Sequence, residues 1–131
     1  SRIDSASLGG SHRCWREKLS CIEQHSQSLK SISRILKGRE GNGLRRLAVF
    51  TFDLREAFIA VSQRVKPTGY WMMTLGNRTI TNVSVPLDEI CFEFLQALGF
   101  SKIATVSRTI SKKRMAGSMR NENILILRKE R

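Results

Sequence analysis

Apolar residues recur at three- and four-residue steps in three parts of the chain, and each part reads as an amphipathic helix. The first covers residues 15 to about 37, where Leu19, Ile22, Leu29, Ile32, Ile35 and Leu36 form the stripe. Residues 24–28 lack apolar side chains and serine is a mediocre helix former, so this helix is expected to break there into two. Gly38 to Gly43, with three glycines, ends it. Residues 44–51 are basic and then apolar, and lead into a second helix over residues 53–65 with Leu54, Phe58, Val61 and Val65 on one stripe. Asp53 and Glu56 sit near its positive amino end, Arg64 and Lys66 near its negative carboxyl end, and Thr51 or Asp53 suits the N-cap. The third pattern is the clearest: Leu87, Ile90, Phe94, Leu95 and Leu98, with Pro86 at the first helical position, Asp88 and Glu89 in the first turn, and Gly99 as the stop.

Between the second and third helices lies a run with no helical period. Residues 70–75, Tyr-Trp-Met-Met-Thr-Leu, follow a turn made by Pro67 and Gly69 and are almost unbroken in apolar character. Such a run predicts a strand covered on both faces in a parallel or mixed sheet, at its centre and flanked by the helices over 53–65 and 87–98. Residues 79–85 are β-branched around an asparagine and suit a short strand or a loop. Residues 102–110 and 124–127 are β-prone and are joined by the basic segment 111–120, which predicts an antiparallel hairpin with a long basic tip. Residues 1–11, rich in serine and glycine, read as a loop or mobile arm. The expected class is α/β with an amino-terminal helical segment.

A length of 131 residues supports one domain with a real core, and 40% apolar with 26% charged residues is the composition of a soluble globular protein. Charge adds more: 23 Lys and Arg against 11 Asp and Glu give a formal +12, which favours a polyanionic partner. A solvated basic surface, or one that docks on an acidic protein, is the alternative. Residues 102–131 hold many cations and only Glu122 and Glu130 as acids, so this end is the best candidate for phosphate contact. No stretch is long and apolar enough to span a membrane, and no secretory hydrophobic region is visible. Cys14, Cys21 and Cys91 show no CxxC spacing and only two histidines accompany them, which argues against zinc and for a reducing, cytoplasmic setting. Cys91, inside the third helical pattern, reads as a small core residue. No Ser-His-Asp set, metal cluster or Walker loop is present.

The loop with candidate chemistry is Gly76-Asn77-Arg78, directly after the apolar run. In α/β sheets, loops at the carboxyl ends of strands carry ligands, and a glycine followed by an amide and a guanidinium fits that use. A turn with a solvated arginine is the bland reading.

The succession of Lys66-Pro-Thr-Gly69, Gly76-Asn-Arg-Thr-Ile80, Val85-Pro-Leu-Asp-Glu-Ile90, Leu98-Gly-Phe100, Ser107-Arg-Thr-Ile110, Lys113-Arg-Met115 and Asn121-Glu122 resembles one family. It is similar to the carboxyl-terminal half of S-adenosylmethionine-dependent DNA amino-methyltransferases, enzymes of restriction-modification that methylate adenine N6 or cytosine N4. The resemblance covers roughly residues 50 to 129. It implies the second half of a Rossmann-like methyltransferase sheet ending in an antiparallel hairpin, over residues 44–131, preceded by a loop and helical segment over 1–43. It implies further that Gly76, Asn77 and Arg78 border the pocket for the flipped base, and that Arg108, Lys112, Lys113 and Arg114 lie near DNA phosphates.

Two family motifs are absent. There is no acidic or polar residue followed by Pro-Pro and an aromatic, since Pro67 and Pro86 are the only prolines, and no glycine-rich turn after a first strand with an acidic ribose ligand beyond it. The chain alone is therefore expected not to methylate DNA. It is expected to be one piece of an enzyme, as its start at Ser1 also suggests, and to seek its missing half, a second chain or another copy of itself. Alternatives from other classes are a small basic non-catalytic nucleic-acid-binding module, in which Tyr70 and Trp71 would stack on bases, and a ribosome- or partner-associated basic protein without chemistry.

Overall fold

A computed structural model of the chain describes residues 14–76, 78–111 and 119–130. In chain order the elements are α1 (Trp15–Glu23), α2 (Gln27–Lys37), α3 (Gly43–Ser62), β1 (Tyr70–Gly76), β2 (Arg78–Ile80), β3 (Val83–Val85), α4 (Leu87–Ala97), β4 (Phe100–Ser111) and β5 (Met119–Lys129). The architecture is mixed: four helices, a three-stranded antiparallel sheet in the order β1-β5-β4, and a separate β2–β3 hairpin, among the described residues.

The break expected in the first helical stretch is present, and its cause is polar. Ser26 takes the N-cap of α2 in extended backbone, and its hydroxyl accepts from the Leu29 amide at 3.0 Å. The Glu93 carboxylate, reaching across from α4, accepts from the Ser28 amide at 2.9 Å and from the Ser26 hydroxyl at 3.1 Å. A carboxylate at the positive end of α2 is favoured by the helix dipole, so this contact both supports the start of α2 and ties the helical pair to α4. Below it, Leu29, Ile32 and Leu36 share one core with Leu47, Phe58, Ile90 and Phe94.

Helix α3 starts at Gly43 and not at residue 53. The segment 44–51, expected to be a lead-in, is helical because Leu47, Ala48 and Thr51 continue inward on the same stripe as Phe58. Thr51 is therefore no N-cap: it is buried in the helix interior and its hydroxyl donates to the Leu47 carbonyl at 2.6 Å. The start is fixed by contact. A Cβ at Gly43 would lie 2.5 Å from Thr81 Oγ1 and 2.9 Å from Ile80 Cγ2, so only glycine lets α3 begin against the β2–β3 turn. At the other end, Lys129 Nζ donates to the carbonyls of Ser62 at 2.6 Å and Val65 at 2.9 Å, a cation on the negative end of the helix supplied by a distant strand.

Strand β1 forms where expected but not in the place expected. It pairs on one edge only, antiparallel to β5 with Tyr70 opposite Arg128 and Gly76 opposite Glu122, and no described strand occupies its other edge. The centre belongs to β5, which pairs with β4 on its second side. The physical reason lies in side-chain alternation. Trp71, Met73 and Leu75 turn toward the core, while Tyr70 and Met72 on the other face are 62% and 66% exposed. An apolar residue on the open face makes a half-covered strand read as a fully covered one.

The remaining elements follow the pattern closely. Residues 79–85 resolve into a tight hairpin, with Thr81 and Asn82 both at positive φ, 51° and 61°, as a two-residue type I′ turn requires. Helix α4 buries Leu87, Ile90, Phe94 and Leu95, and Gly99 at φ 94° reverses the chain into β4. Cys91 is buried in that core as expected. The β4–β5 hairpin is antiparallel as expected and longer than its β-prone runs suggested. Trp71 forms the joint between layers, edge-on to Phe58 of α3 at 5.3 Å and to Phe100 of β4 at 5.5 Å between ring centres.

Candidate functional site

Gly76 ends β1 at its carboxyl end, and nothing lies within 4 Å of the position a Cβ would take there. Arg78 opens the β2–β3 hairpin opposite Val85, and Gly76 is not among the residues that line the cavity around it. The Arg78 guanidinium lies 5.3 Å from the centre of the Phe50 ring on α3, a cation–π contact that fixes a side chain which would otherwise be free in solvent. Asn77, between them, lies outside the described residues.

Around Arg78 is a cavity of about 210 Å³ lined by Arg46, Leu47, Phe50, Thr79, Ile80, Val85 and Leu87 as well. Its lining is mostly apolar and includes two arginines, Arg46 and Arg78. A flat aromatic ligand with a negatively charged or carbonyl-bearing edge suits such a lining. Arg46 and Phe50 were not among the candidates drawn from sequence. The signal for them was the basic-then-apolar segment 44–51, whose meaning depends on α3 starting ten positions early, at Gly43.

A polar network adjoins the same end of the sheet. The Arg108 guanidinium on β4 pairs across the ladder with Glu122 on β5, donating to Oε2 from Nη2 at 2.9 Å and from Nε at 3.2 Å. One position on, Asn123 Nδ2 donates to Asp88 Oδ2 at 2.9 Å and its Oδ1 accepts from the Ser107 hydroxyl at 2.8 Å, which ties β5 to the amino end of α4. Arg108 is thus held by a carboxylate toward the Ser111–Met119 end of the β4–β5 ladder and remains partly exposed there. Lys112, Lys113 and Arg114 lie outside the described residues.

Other reactive side chains do not converge. Among the described residues no group of three or more His, Cys, Asp or Glu is placed to hold a metal ion. Burial, and secondarily Asp88, pushes the Cys91 thiol up to about 12, so it is no nucleophile at neutral pH. His25 is shifted below its usual value by partial burial and then by Arg55, and stands far along the chain from Arg78 in a shallow cleft beside Glu93. The Tyr70-Trp71 pair is divided between faces: Trp71 is core, and Tyr70 stands outside with the Arg128 guanidinium 6.0 Å from its ring centre. Among the described residues no helix is long and apolar enough to cross a membrane. Comparisons with family models, with curated proteins and with solved structures return no match to this chain.

Proposed function

We propose that this chain is the carboxyl-terminal part of a site-specific DNA methyltransferase that transfers a methyl group from S-adenosylmethionine to an exocyclic base amine. The observation that carries the reading is the form of the sheet. Strands β1 and β4 run in the same direction with β5 antiparallel between them, no described strand pairs with the second edge of β1, and Gly76 stands at the carboxyl end of that strand. An open strand edge is a liability that proteins cover, and the missing half of an α/β sheet would cover this one. The small cavity beside Arg78 has the lining expected for a base lifted from its stack. The formal +12 supplies the general attraction to phosphate.

S-adenosylmethionine finds no built seat among these residues, which lack the glycine-rich turn and the ribose-binding acid. The part assigned to this chain is limited to the base-side wall of the pocket, through Arg78, Arg46 and Phe50, and to backbone grip through the hairpin tip.

The test joins the chain to its upstream segment and measures transfer of labelled methyl groups to mixed-sequence duplex DNA, alongside binding of S-adenosylmethionine by calorimetry. Binding and sequence-specific incorporation by the joined protein, with neither by the 131-residue chain alone, is the expected result. A joined protein that binds duplex but not S-adenosylmethionine would instead make this a non-catalytic nucleic-acid-binding module.

A further inference from the structure

A groove of about 830 Å³ lies among α1, α2 and the amino end of α3, and shares no lining residue with the cavity beside Arg78. Six cations line it: Arg16, Lys30, Arg34, Lys37, Arg39 and Arg45. Glu23 is the one acid among its described lining residues, and no ion pair among the described residues neutralises any of the six cations. The chain as a whole carries about two cations per acid, so this concavity is far more positive than its composition alone would make it.

Two further features add to the charge. The Arg16 guanidinium rests over the Trp15 ring at 4.4 Å, which presents a flat cationic surface at the groove wall. Helix α3, 20 residues long, opens into the groove at Asn42, which makes no side-chain cap bond, and its first turn holds no acid. Its positive end is left for whatever occupies the groove.

The spacing selects the kind of anion. Lys30, Arg34 and Lys37 stand at i, i+4 and i+7 on α2, one row along the flank of the buried stripe of Leu29, Ile32 and Leu36. At about 1.5 Å of rise per residue the row spans roughly 10 Å. A strand of duplex DNA presents its phosphates as an unbroken series, so a row of this length faces more than one of them at once, which a single small anion cannot match. All three cations are exposed, which suits a backbone lying along the surface and not a small anion caged within it. Like charges at these spacings repel along the helix, and a polyanion relieves the repulsion.

We propose that the α1–α2–α3 groove binds the phosphate backbone of duplex DNA, as a contact separate from the tip of the β4–β5 hairpin. The inference does not depend on methyl transfer: a binding module without chemistry would use the groove in the same way.

The experiment follows a short labelled mixed-sequence duplex by fluorescence anisotropy with the full 131-residue chain, between about 50 and 200 mM salt. One variant carries Lys30→Gln, Arg34→Gln and Lys37→Gln. A second loses the same charge elsewhere through Arg64→Gln, Lys66→Gln and Arg128→Gln, at the far end of α3, about 30 Å away along a helix of 20 residues. The groove variant should bind about tenfold or more weakly at mid-range salt and lower the salt slope by about two to three, against about twofold and under one for the control. Helical circular dichroism checks folding. If the groove variant loses helicity, Arg16→Gln, Arg39→Gln and Arg45→Gln replace it, with the same expected loss. Equal losses in groove and control variants would reduce the groove to general surface charge. Displacement of the duplex by polyglutamate as efficiently as by unlabelled duplex would point to an acidic protein and overturn the assignment.

Discussion

The two faces of the three-stranded sheet are built from the same strands and meet opposite fates. On the inner face Trp71, Met73, Leu125, Leu127 and Phe100 close against α3 and α4, and Leu127 and Phe100 are essentially removed from solvent. On the outer face Tyr70, Met72 and Val106 stay exposed, with Arg128 near Tyr70 and the Arg108–Glu122 pair at the other end. Alternation along a strand explains how one sequence serves both faces, but not why the outer one is apolar. Exposed apolar patches framed by polar groups mark surfaces that another element covers. On the proposed reading, the open edge of β1 and this face belong to one interface with the missing half of the sheet.

If the faces differ as described, adjacent residues of β1 should respond very differently to truncation. Trp71→Ala removes the joint between α3, β1 and β4 and should cost about 3–5 kcal/mol in urea unfolding, enough to leave the chain partly unfolded. Met72→Ser, one position along, should change stability by no more than about 0.5 kcal/mol. Similar costs at both positions would mean that the outer face is packed in solution, by self-association or otherwise.

A smaller effect is expected at Lys129, whose inner-side ammonium holds the last carbonyl of α3, at Ser62, and that of Val65 just beyond it. Lys129→Met keeps the stem and removes the charge, and should cost about 1–2 kcal/mol by the same measurement. Arg128→Met, next to it on the outer face, should be near neutral. The contrast fails if the two substitutions cost the same.

The mildest probe separates the faces chemically. Cys14 and Cys21 are exposed while Cys91 is buried with its thiol raised to about 12. A thiol reagent at mildly alkaline pH should therefore label two cysteines at once and the third only as the protein unfolds. Immediate labelling of all three would show that the α4 core opens freely.

Local signals in the sequence were sufficient wherever one element decided its own structure. Helix α4 carries its stripe, its acids in the first turn and its glycine stop within one short segment, and it forms as read except that Pro86 is the N-cap and not the first helical residue. The polar gap at residues 24–28 broke the first helical stretch as expected, although the Glu93 carboxylate that completes the break comes from α4 and has no local signature. The start of α3 was hidden for a related reason. Arg45 and Arg46 stand at the end of the helix where cations are disfavoured, and Thr51 with Asp53 imitates a cap farther along. Of the candidate loop, Arg78 could be read in advance but not the Phe50 ring that holds it, since the two residues meet only through the packing of α3 on the β2–β3 hairpin.

The sequence by itself determined the number and order of most helices and strands, the antiparallel β4–β5 hairpin, the burial of Cys91 and the concentration of positive charge. These follow from periodicity, turn residues and composition, which are properties of neighbours in the chain. Only the tertiary structure decided that β5 and not β1 is the central strand, that a lysine from β5 ends α3, and that cations from three helices face one groove. Each of those joins residues far apart in sequence. Which edge a strand offers, and to which partner, is set by competition among whole packed surfaces, and no single segment carries the outcome of that competition.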